Sequence, residues 1–382
     1  MSGLSHDTDT GANDIARLAQ TPVRALRAYD PGYDLVALRR DFAPRALVEL
    51  GANENPYGPS PRVRRALLDS LDGVHRYPDP RGGDLRRALA AHHGVDPAQI
   101  VLGNGSHELL MQLAQVFAGP GVEVVVPRYG FAVFAIAAKV VGATVRVAPA
   151  LPEDDAMPLG HDLDALRAAI TTSTRLLYLA NPNNPTGTWL PTNALANFLA
   201  DVPGHVVVVV DEAYAETADA PDYGSVLALL HAHPNLVVTR TFSKAYALAG
   251  LRIGYAIAGA GLSALLERLR ESFNVGTLAL AAAEAALGDQ AYTQRTMALN
   301  AGQRSRLHQA LRQRGWPVGP SQTNFLLVDF GECRSSVEQG LLARGVVPRP
   351  MVGYGLPRYL RITVGDAGQN DALLQALDEV AR

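Results

Sequence analysis

Residues 206–214 read VVVVVDEAY, and this stretch decides the fold class. The five valines are apolar on both faces of an extended chain, which is typical of a central strand in a parallel sheet covered on both sides. Asp211 follows directly, and a carboxylate at the end of a buried strand is costly unless it has a partner. A protonated heterocyclic nitrogen, an internal arginine and a helix cap are the partners to consider.

Segments with strand and helix patterns alternate on both sides of this run. The predicted strands are residues 100–103, 123–126, 144–147, 175–180, 205–210 and 236–240, and the predicted helices are residues 107–117, 131–141, 164–170 and 193–199. This alternation predicts an α/β domain with helices on both faces of its sheet. Ligands of such sheets bind at the carboxyl ends of the strands.

The pattern changes after about residue 262. Long amphipathic helices are predicted at residues 262–272, 277–287 and 292–314, followed by strands at residues 324–328 and 359–364. This order favours a smaller α+β domain packed on the first. We therefore divide the chain into an N-terminal arm (1–45), a large domain (46–268) and a small C-terminal domain (269–382).

The composition argues against several classes of protein. The 382 residues carry a net charge of −3, which gives no reason to expect a nucleic acid or an anionic membrane as partner. No apolar run approaches the roughly 20 residues of a membrane span, and the first residues lack the pattern of a signal peptide. The single cysteine, Cys333, allows no intrachain disulfide. We expect a cytoplasmic protein in a reducing environment and predict no metal site.

Lysine is rare in this chain, because the 34 lysines and arginines include only Lys139 and Lys244. Lys139 lies within a predicted helix and is interpreted as a solvated side chain. Lys244 follows Thr241 and Ser243 closely and precedes Arg252, so the two hydroxyls and the arginine can gather on one anion. A buried lysine amine has the lowered pKa that a Schiff-base nucleophile needs near neutral pH.

Two further loops follow predicted strands. Residues 103–108, GNGSHE, open a helix with a glycine-rich turn whose N–H groups can bind phosphate, although such turns are common. Residues 181–187, NPNNPTG, form a loop rigid enough to aim a side-chain amide at a ligand. With Asp211, Tyr214 and Lys244, these loops supply the phosphate cradle, carboxylate, amide, phenol and amine that a pyridine aldehyde phosphate needs.

Six segments together carry a family resemblance. They are NENPYGPSP (53–61), HRYPDP (75–80), NPNNPTG (181–187), DEAY (211–214), SKAYALAGLRIG (243–254) and LRITVG (360–365). In this order and spacing they resemble the fold-type-I aminotransferases and, more narrowly, the histidinol-phosphate aminotransferases, from about residue 23 to the C-terminus. The resemblance implies the pyridoxal-phosphate-dependent transferase fold, in which a mostly parallel seven-stranded sheet forms the large domain beside a smaller α+β domain.

The resemblance also implies how pyridoxal 5'-phosphate is bound. Lys244 would carry the cofactor as a Schiff base and later move the substrate proton, while Asp211 would pair with the protonated pyridine nitrogen. Tyr214 and Asn184 would hydrogen-bond the ring oxygen, and Tyr129 would stack on the ring. The residues expected around the cofactor phosphate are Gly105, Ser106, His107, Thr241, Ser243 and Arg252.

For the substrate, the resemblance implies transamination of L-histidinol phosphate with 2-oxoglutarate, giving imidazole acetol phosphate and L-glutamate. Arg361 would bind the α-carboxylate of 2-oxoglutarate and, in its place, the phosphate of histidinol phosphate. Arg349, Asn184 and Tyr29 would assist, the last from the N-terminal arm. Tyr77 would enter the site from a second subunit, so we expect a homodimer with shared active sites.

Some alternative functions are compatible with these motifs, and others are disfavoured. Aromatic amino-acid aminotransferases share nearly all these motifs, as do relatives that decarboxylate threonine phosphate. A nicotinamide-dependent oxidoreductase is disfavoured because GNGSHE lacks the third glycine of the dinucleotide-binding motif. A regulator built on this fold is disfavoured because the chain has neither room nor basic charge for a DNA-binding domain.

Overall fold

The computed structural model describes residues 15–26, 28, 32–42 and 47–380. The helices are α1 Thr21–Arg24, α2 Leu35–Phe42, α3 Pro61–Ser70, α4 Gly83–His93, α5 Ser106–Phe117, α6 Ala132–Val140, α7 Leu163–Ala168, α8 Thr192–Asp201, α9 Ala260–Leu269, α10 Thr277–Leu287, α11 Gln290–Gln313, α12 Arg334–Ala343 and α13 Ala367–Val380. The strands are β1 Val48–Glu49, β2 Ile100–Gly103, β3 Glu123–Pro127, β4 Thr144–Ala148, β5 Thr174–Ala180, β6 Val207–Asp211, β7 Leu236–Thr241, β8 Gly254–Ala258, β9 Phe325–Asp329, β10 Val346–Val347, β11 Arg349–Pro350 and β12 Tyr359–Thr363. None of the described helices has both the length and the apolar character needed to cross a membrane.

Within the described residues, the main sheet has seven strands in the order β2-β8-β7-β6-β5-β3-β4. Pairs from β7 through β4 are parallel, whereas β8 runs antiparallel to both β2 and β7. The predicted α/β fold with a mostly parallel sheet is therefore confirmed. The elements predicted between residues 100 and 240 are present, with small differences at their ends, but β8 is not among the predicted strands.

Strand β6 shows why the valine run specifies a central strand. Val208 and Val210 point into the core on one face of the sheet, while Val209 points into the core on the other. Successive side chains of a strand alternate between faces, so a strand that is apolar throughout is stable only when helices cover both faces.

The smaller unit is built around an antiparallel sheet of order β11-β12-β9. Leu360 and Ile362 of β12 point into its apolar core, together with side chains of α11, α12 and α13. Arg361 and Thr363 alternate with them and are therefore on the opposite face of the sheet. The predicted α+β character of this part is confirmed.

One helix packs differently from the predicted domain division. Ala279, Ala282, Ala283 and Ala286 of α10 are buried in the core of the large sheet, beside α3 and α4. The division at residues 268/269 assigns α10 to the small domain, whereas its packing places it with the large one. Alanines on several faces let this helix approach its neighbours closely. The numerical boundaries themselves stay a prediction.

The sheet brings together loops that are distant in sequence. Ala180 pairs with Asp211 and Asp211 pairs with Thr239, so the carboxyl ends of β5, β6 and β7 lie side by side. The loops that begin at Asn181, Glu212 and Phe242 therefore leave the same edge of the sheet.

Candidate active site

A cavity of about 330 Å³ lies between this edge of the large sheet and the small unit. It is lined by backbone and side chains of both units. The sequence-predicted residues among them are Ser106, His107, Asn184, Asp211, Tyr214, Thr241, Ser243, Lys244, Arg252, Arg349 and Arg361. Most of the predicted site is thus brought together in one place.

Lys244 places its amine inside this cavity. Its Nζ donates hydrogen bonds to the backbone oxygens of Ala52 and Asn53, at 3.1 Å each. Burial lowers the pKa of the Lys244 amine to about 7, and the positive charge of Arg361 acts in the same direction. At neutral pH a large fraction of the amine is therefore unprotonated and able to attack an aldehyde carbon.

We predict that cofactor loading follows this pKa. Only the neutral amine adds to an aldehyde, so the rate at which the apo-protein condenses with pyridoxal 5'-phosphate should rise with pH to a plateau, with its midpoint near 7. Stopped-flow absorbance at a series of pH values on both sides of the midpoint measures this. A rate that kept rising towards about pH 10, where an ordinary lysine titrates, would contradict the lowered pKa.

Asp211 ends β6 and is buried, with 4% of its surface exposed. Its Oδ1 accepts a hydrogen bond from Thr239 Oγ1 at 3.0 Å, and its carboxylate also accepts from the N–H of Ala213. Burial raises the pKa of Asp211 to about 6. The carboxylate faces the cavity and would be stabilised by a cation placed there.

The internal arginine considered as a partner of Asp211 has other partners. Arg240 of β7 forms ion pairs with Glu212 and Glu216 beneath the site, at 2.6 and 3.1 Å. Arg240 Nη2 also donates to Ser225 Oγ, which itself donates to Glu212. This buried network therefore binds the neighbouring Glu212 and leaves Asp211 directed at the cavity.

The glycine-rich turn and the loop after β7 form one polar cradle. Ser106 begins α5, so its backbone N–H lies at the positive end of a 12-residue helix. Thr241 Oγ1 and Ser243 Oγ are 3.0 Å apart, and Arg252 Nη1 lies 3.4 Å from Ser243 Oγ. A Cβ added at Gly105 would lie 2.6 Å from Arg252 Nη2. Any other residue at this position would therefore displace the Arg252 guanidinium.

Arg361 approaches the cavity from the small unit. Its guanidinium donates to Asn184 Oδ1 at 2.6 Å and to the backbone oxygen of Gly51 at 2.8 Å, and it lies over the Phe325 ring. Arg349 of β11 is directly opposite Arg361 in the antiparallel register and also lines the cavity. Side chains at opposed positions have Cβ atoms about 4.5–5.5 Å apart, and both arginines line the cavity, so both bring positive charge to this side of it.

Three predicted residues are not among the lining residues, and one lies outside the described part of the chain. Tyr129 adopts φ 57°, accepts a hydrogen bond from Asn183 on its backbone oxygen and packs beside Leu159. Gly105 adjoins the cavity through its contact with Arg252. Tyr77 is 82% exposed, with its ring stacked on Phe273. Tyr29 lies outside the described residues. The roles predicted for these four residues stay predictions.

Several lining residues were not predicted from the sequence, among them Phe131 and Asn53. Phe131, two residues after Tyr129, lines the cavity. Asn53 donates from Nδ2 to the hydroxyl oxygen of Tyr214 at 2.9 Å. The motif NENP was recognised only as a family signature, and its own chemistry offered no signal because its partner is 161 residues away.

The donor set fits pyridoxal 5'-phosphate. The cradle at Ser106, Thr241, Ser243 and Arg252 offers N–H groups, hydroxyls and a guanidinium to a phosphate. Asp211 is a buried carboxylate suited to a protonated ring nitrogen. Lys244 is an amine of lowered pKa suited to the aldehyde.

Comparisons with known proteins agree with this geometry. Residues 45–377 match the family model of the class I and II aminotransferases. A histidinol-phosphate aminotransferase of Methylococcus capsulatus is 46% identical over 96% of this chain and 99% of its own length. One of Pseudomonas aeruginosa is 44% identical, with 96% and 99% covered.

A solved structure supports the same grouping. The histidinol-phosphate aminotransferase of Sinorhizobium meliloti, determined in complex with pyridoxal-5'-phosphate, superposes with a TM-score of 0.85 at 33% identity, covering 95% of this chain and 97% of that one. With the family model and the two curated relatives, this means that the chain belongs to the class I and II aminotransferases, which use pyridoxal phosphate, and within them to the histidinol-phosphate aminotransferase family.

Proposed function

We propose that this enzyme transfers the amino group of L-histidinol phosphate to 2-oxoglutarate, giving imidazole acetol phosphate and L-glutamate. The observation that carries the proposal is the opposed pair Arg349 and Arg361 on the wall of the cavity that holds Lys244. Two guanidinium groups match the charge and geometry of a phosphate monoester. A single arginine would be enough for a carboxylate.

The chain's own residues account for the first half-reaction. When bound, the cofactor supplies an aldehyde carbon for the amine and an electron-withdrawing pyridine ring. Asp211 would hold the proton on the ring nitrogen, while Tyr214 and Asn184 would donate to the ring oxygen. Arg349 and Arg361 bind the substrate phosphate and so orient its Cα towards Lys244. Lys244 Nζ would then take the proton from the substrate Cα and move it within the site.

The second half-reaction uses the same residues in reverse. The α-carboxylate of 2-oxoglutarate occupies the Arg361 site, where the guanidinium offers two parallel N–H donors. Lys244 returns a proton to the substrate Cα, and L-glutamate leaves. One site can accept both substrates because its anion-binding wall recognises charge rather than the imidazole ring.

We predict that Arg349→Ala distinguishes phosphate recognition from general amine recognition. It removes one charged hydrogen-bond donor, so kcat/KM for histidinol phosphate should fall by about 10- to 100-fold while that for phenylalanine changes little. Arg358→Ala is the matched control, because Arg358 pairs with Asp329 and is not among the described residues lining the cavity. Single-turnover bleaching of the cofactor absorbance by each amine measures the effect.

The same measurement tests the substrate assignment in the unsubstituted enzyme. Histidinol phosphate should bleach the absorbance band much faster than phenylalanine or tyrosine. Equal or faster bleaching by the aromatic amino acids would mean that the enzyme is an aromatic amino-acid aminotransferase, and the phosphate role of Arg349 would be wrong.

The proposed enzyme is a homodimer with shared active sites. An exposed apolar patch carries Leu71, Val74, Tyr77 and Phe273, exposed by 48, 56, 82 and 36%. A patch of this kind is typical of a protein–protein interface. Sedimentation at working concentrations should show a dimer, and Tyr77→Ser should weaken cofactor or substrate binding. A fully active monomer would contradict this.

We also propose that the enzyme works in the cytoplasm. Its single cysteine, Cys333, excludes an intrachain disulfide, as is usual in reducing compartments. Recovery of the protein from a different cell fraction would contradict this.

A further inference from the structure

Asn53 lies at the centre of a hydrogen-bond chain that no catalytic role explains. It is 1% exposed and adopts φ 56°, a left-handed conformation that asparagine tolerates better than most residues. Its amide reaches Tyr214 on one side and Thr363 of β12 on the other. Thr363 lies two residues after Arg361 in β12. These hydrogen bonds therefore connect the strand that carries Arg361 to the proposed cofactor site.

The orientation of the Asn53 amide is determined by Thr363. The backbone N–H of Asn53 donates to Thr363 Oγ1 at 2.9 Å, so that oxygen already accepts a hydrogen bond. The Thr363 hydroxyl then donates to Asn53 Oδ1 at 3.3 Å. In this arrangement the Oδ1 end of the amide accepts beside Thr363, and the Nδ2 end points at Tyr214.

This orientation leaves Tyr214 one way to place its own proton. A phenol has a single O–H donor, and the Tyr214 oxygen already accepts from Asn53 Nδ2 at 2.9 Å. Its hydrogen must therefore point away from Asn53. Tyr214 lines the cavity, so the free direction is the one in which the cofactor's ring oxygen would lie.

We propose that Asn53 is a positioning residue that forces the Tyr214 hydroxyl to donate into the cavity. Thr363 orients the Asn53 amide and so sets the direction of both hydrogen bonds. The inference rests on the proposed contact between Tyr214 and the cofactor's ring oxygen. The backbone oxygen of Asn53 also accepts from Lys244 Nζ and from Asn324 Nδ2. The same short segment therefore holds the amine and aims the phenol.

The consequence is measurable on the Schiff base between Lys244 and the cofactor. Donation from Tyr214 withdraws negative charge from the ring oxygen, and that oxygen otherwise stabilises the proton on the Schiff-base nitrogen. Weaker donation therefore makes the nitrogen harder to deprotonate and raises the midpoint of its absorbance titration. The charged groups around Lys244, which are Arg361, Glu54, Arg252 and Asp211, stay the same when uncharged substitutions are made.

The test is a spectrophotometric pH titration of the holoenzyme with two uncharged substitutions. Asn53→Gly removes the amide and tolerates the left-handed backbone, and Thr363→Val removes the hydroxyl that orients it. Each should raise the midpoint by about 0.5 to 1 pH unit. Thr296→Val, which removes a buried hydroxyl of α11 outside the cavity lining, should leave it unchanged.

The same variants in a Tyr214→Phe background separate positioning from a general structural effect. If Asn53 acts through Tyr214, neither substitution shifts the midpoint once the hydroxyl is gone. Unshifted single variants, or shifts that add to that of Tyr214→Phe, would overturn the inference. Failure of the unsubstituted protein to form any titrating band would instead overturn the proposed cofactor chemistry. Melting curves of the variants confirm that they are folded.

Discussion

Lys244→Ala should reduce transamination of histidinol phosphate by about 10⁴-fold or more. In the proposed mechanism the variant loses both the amine that binds the cofactor covalently and the base that moves the substrate proton, and general acid–base catalysis alone is worth roughly 10²–10⁴. The cavity and its phosphate cradle remain, so the cofactor can still bind non-covalently. Steady-state kinetics and borohydride trapping followed by peptide mass spectrometry measure the two losses separately.

The second lysine of the chain provides the control for this experiment. Lys139 is the only other lysine in the sequence, and it is exposed on α6. Lys139→Ala should keep full activity, and borohydride should still attach the reduced cofactor to Lys244. Full turnover by Lys244→Ala, or trapping on Lys139, would show that the mechanism is wrong.

Asp211→Asn should lower kcat by about 10²–10³, the usual cost of removing one preorganised electrostatic group. The amide keeps the size of the side chain but cannot stabilise a positive charge on the ring nitrogen. Without that charge, burying the ionised Asp211 carboxylate destabilises the folded apo-protein. The same cost of burial raises the pKa of Asp211 to about 6. The apo-protein should therefore melt no earlier than the unsubstituted apo-protein.

Comparing kcat with the melting temperature of the apo-protein separates the ring-nitrogen role of Asp211 from a structural role. A structural role for Asp211 would lower the melting temperature of the apo-protein together with kcat. Asp201→Asn serves as the control, since Asp201 is an exposed partner of Arg167 and should affect neither quantity. Unchanged kcat in Asp211→Asn would exclude the ring-nitrogen role.

The residues proposed to bind the cofactor could be predicted from local sequence because they stand where strands end. Asp211 ends β6 and Thr241 ends β7, and Asn184 and Lys244 lie in the loops that follow β5 and β7. In a parallel sheet those ends meet at one edge, so strand patterning alone brings the residues together. The scarcity of lysine then identified Lys244 without any geometry.

Other features could not be predicted because they depend on pairing between distant parts of the chain. Strand β8 joins the sheet in the opposite direction, between β2 and β7. Helix α10 packs on the large sheet because its alanine faces fit against α3 and α4, which no periodicity reveals. The first result depends on backbone pairing between distant strands and the second on shape complementarity, and neither is contained in the local pattern.

The sequence by itself determined the fold class and predicted the amine, the carboxylate and the turn proposed to bind phosphate, because each is set by local periodicity or by residue type at a strand end. Only the tertiary structure decided that Arg349 opposes Arg361, that Arg240 binds Glu212 rather than Asp211, and that Asn53 joins Tyr214 to Thr363. Asn53 and Thr363 are 310 residues apart, and hydrogen-bond direction over such a separation is decided by the packed fold and not by the local chain.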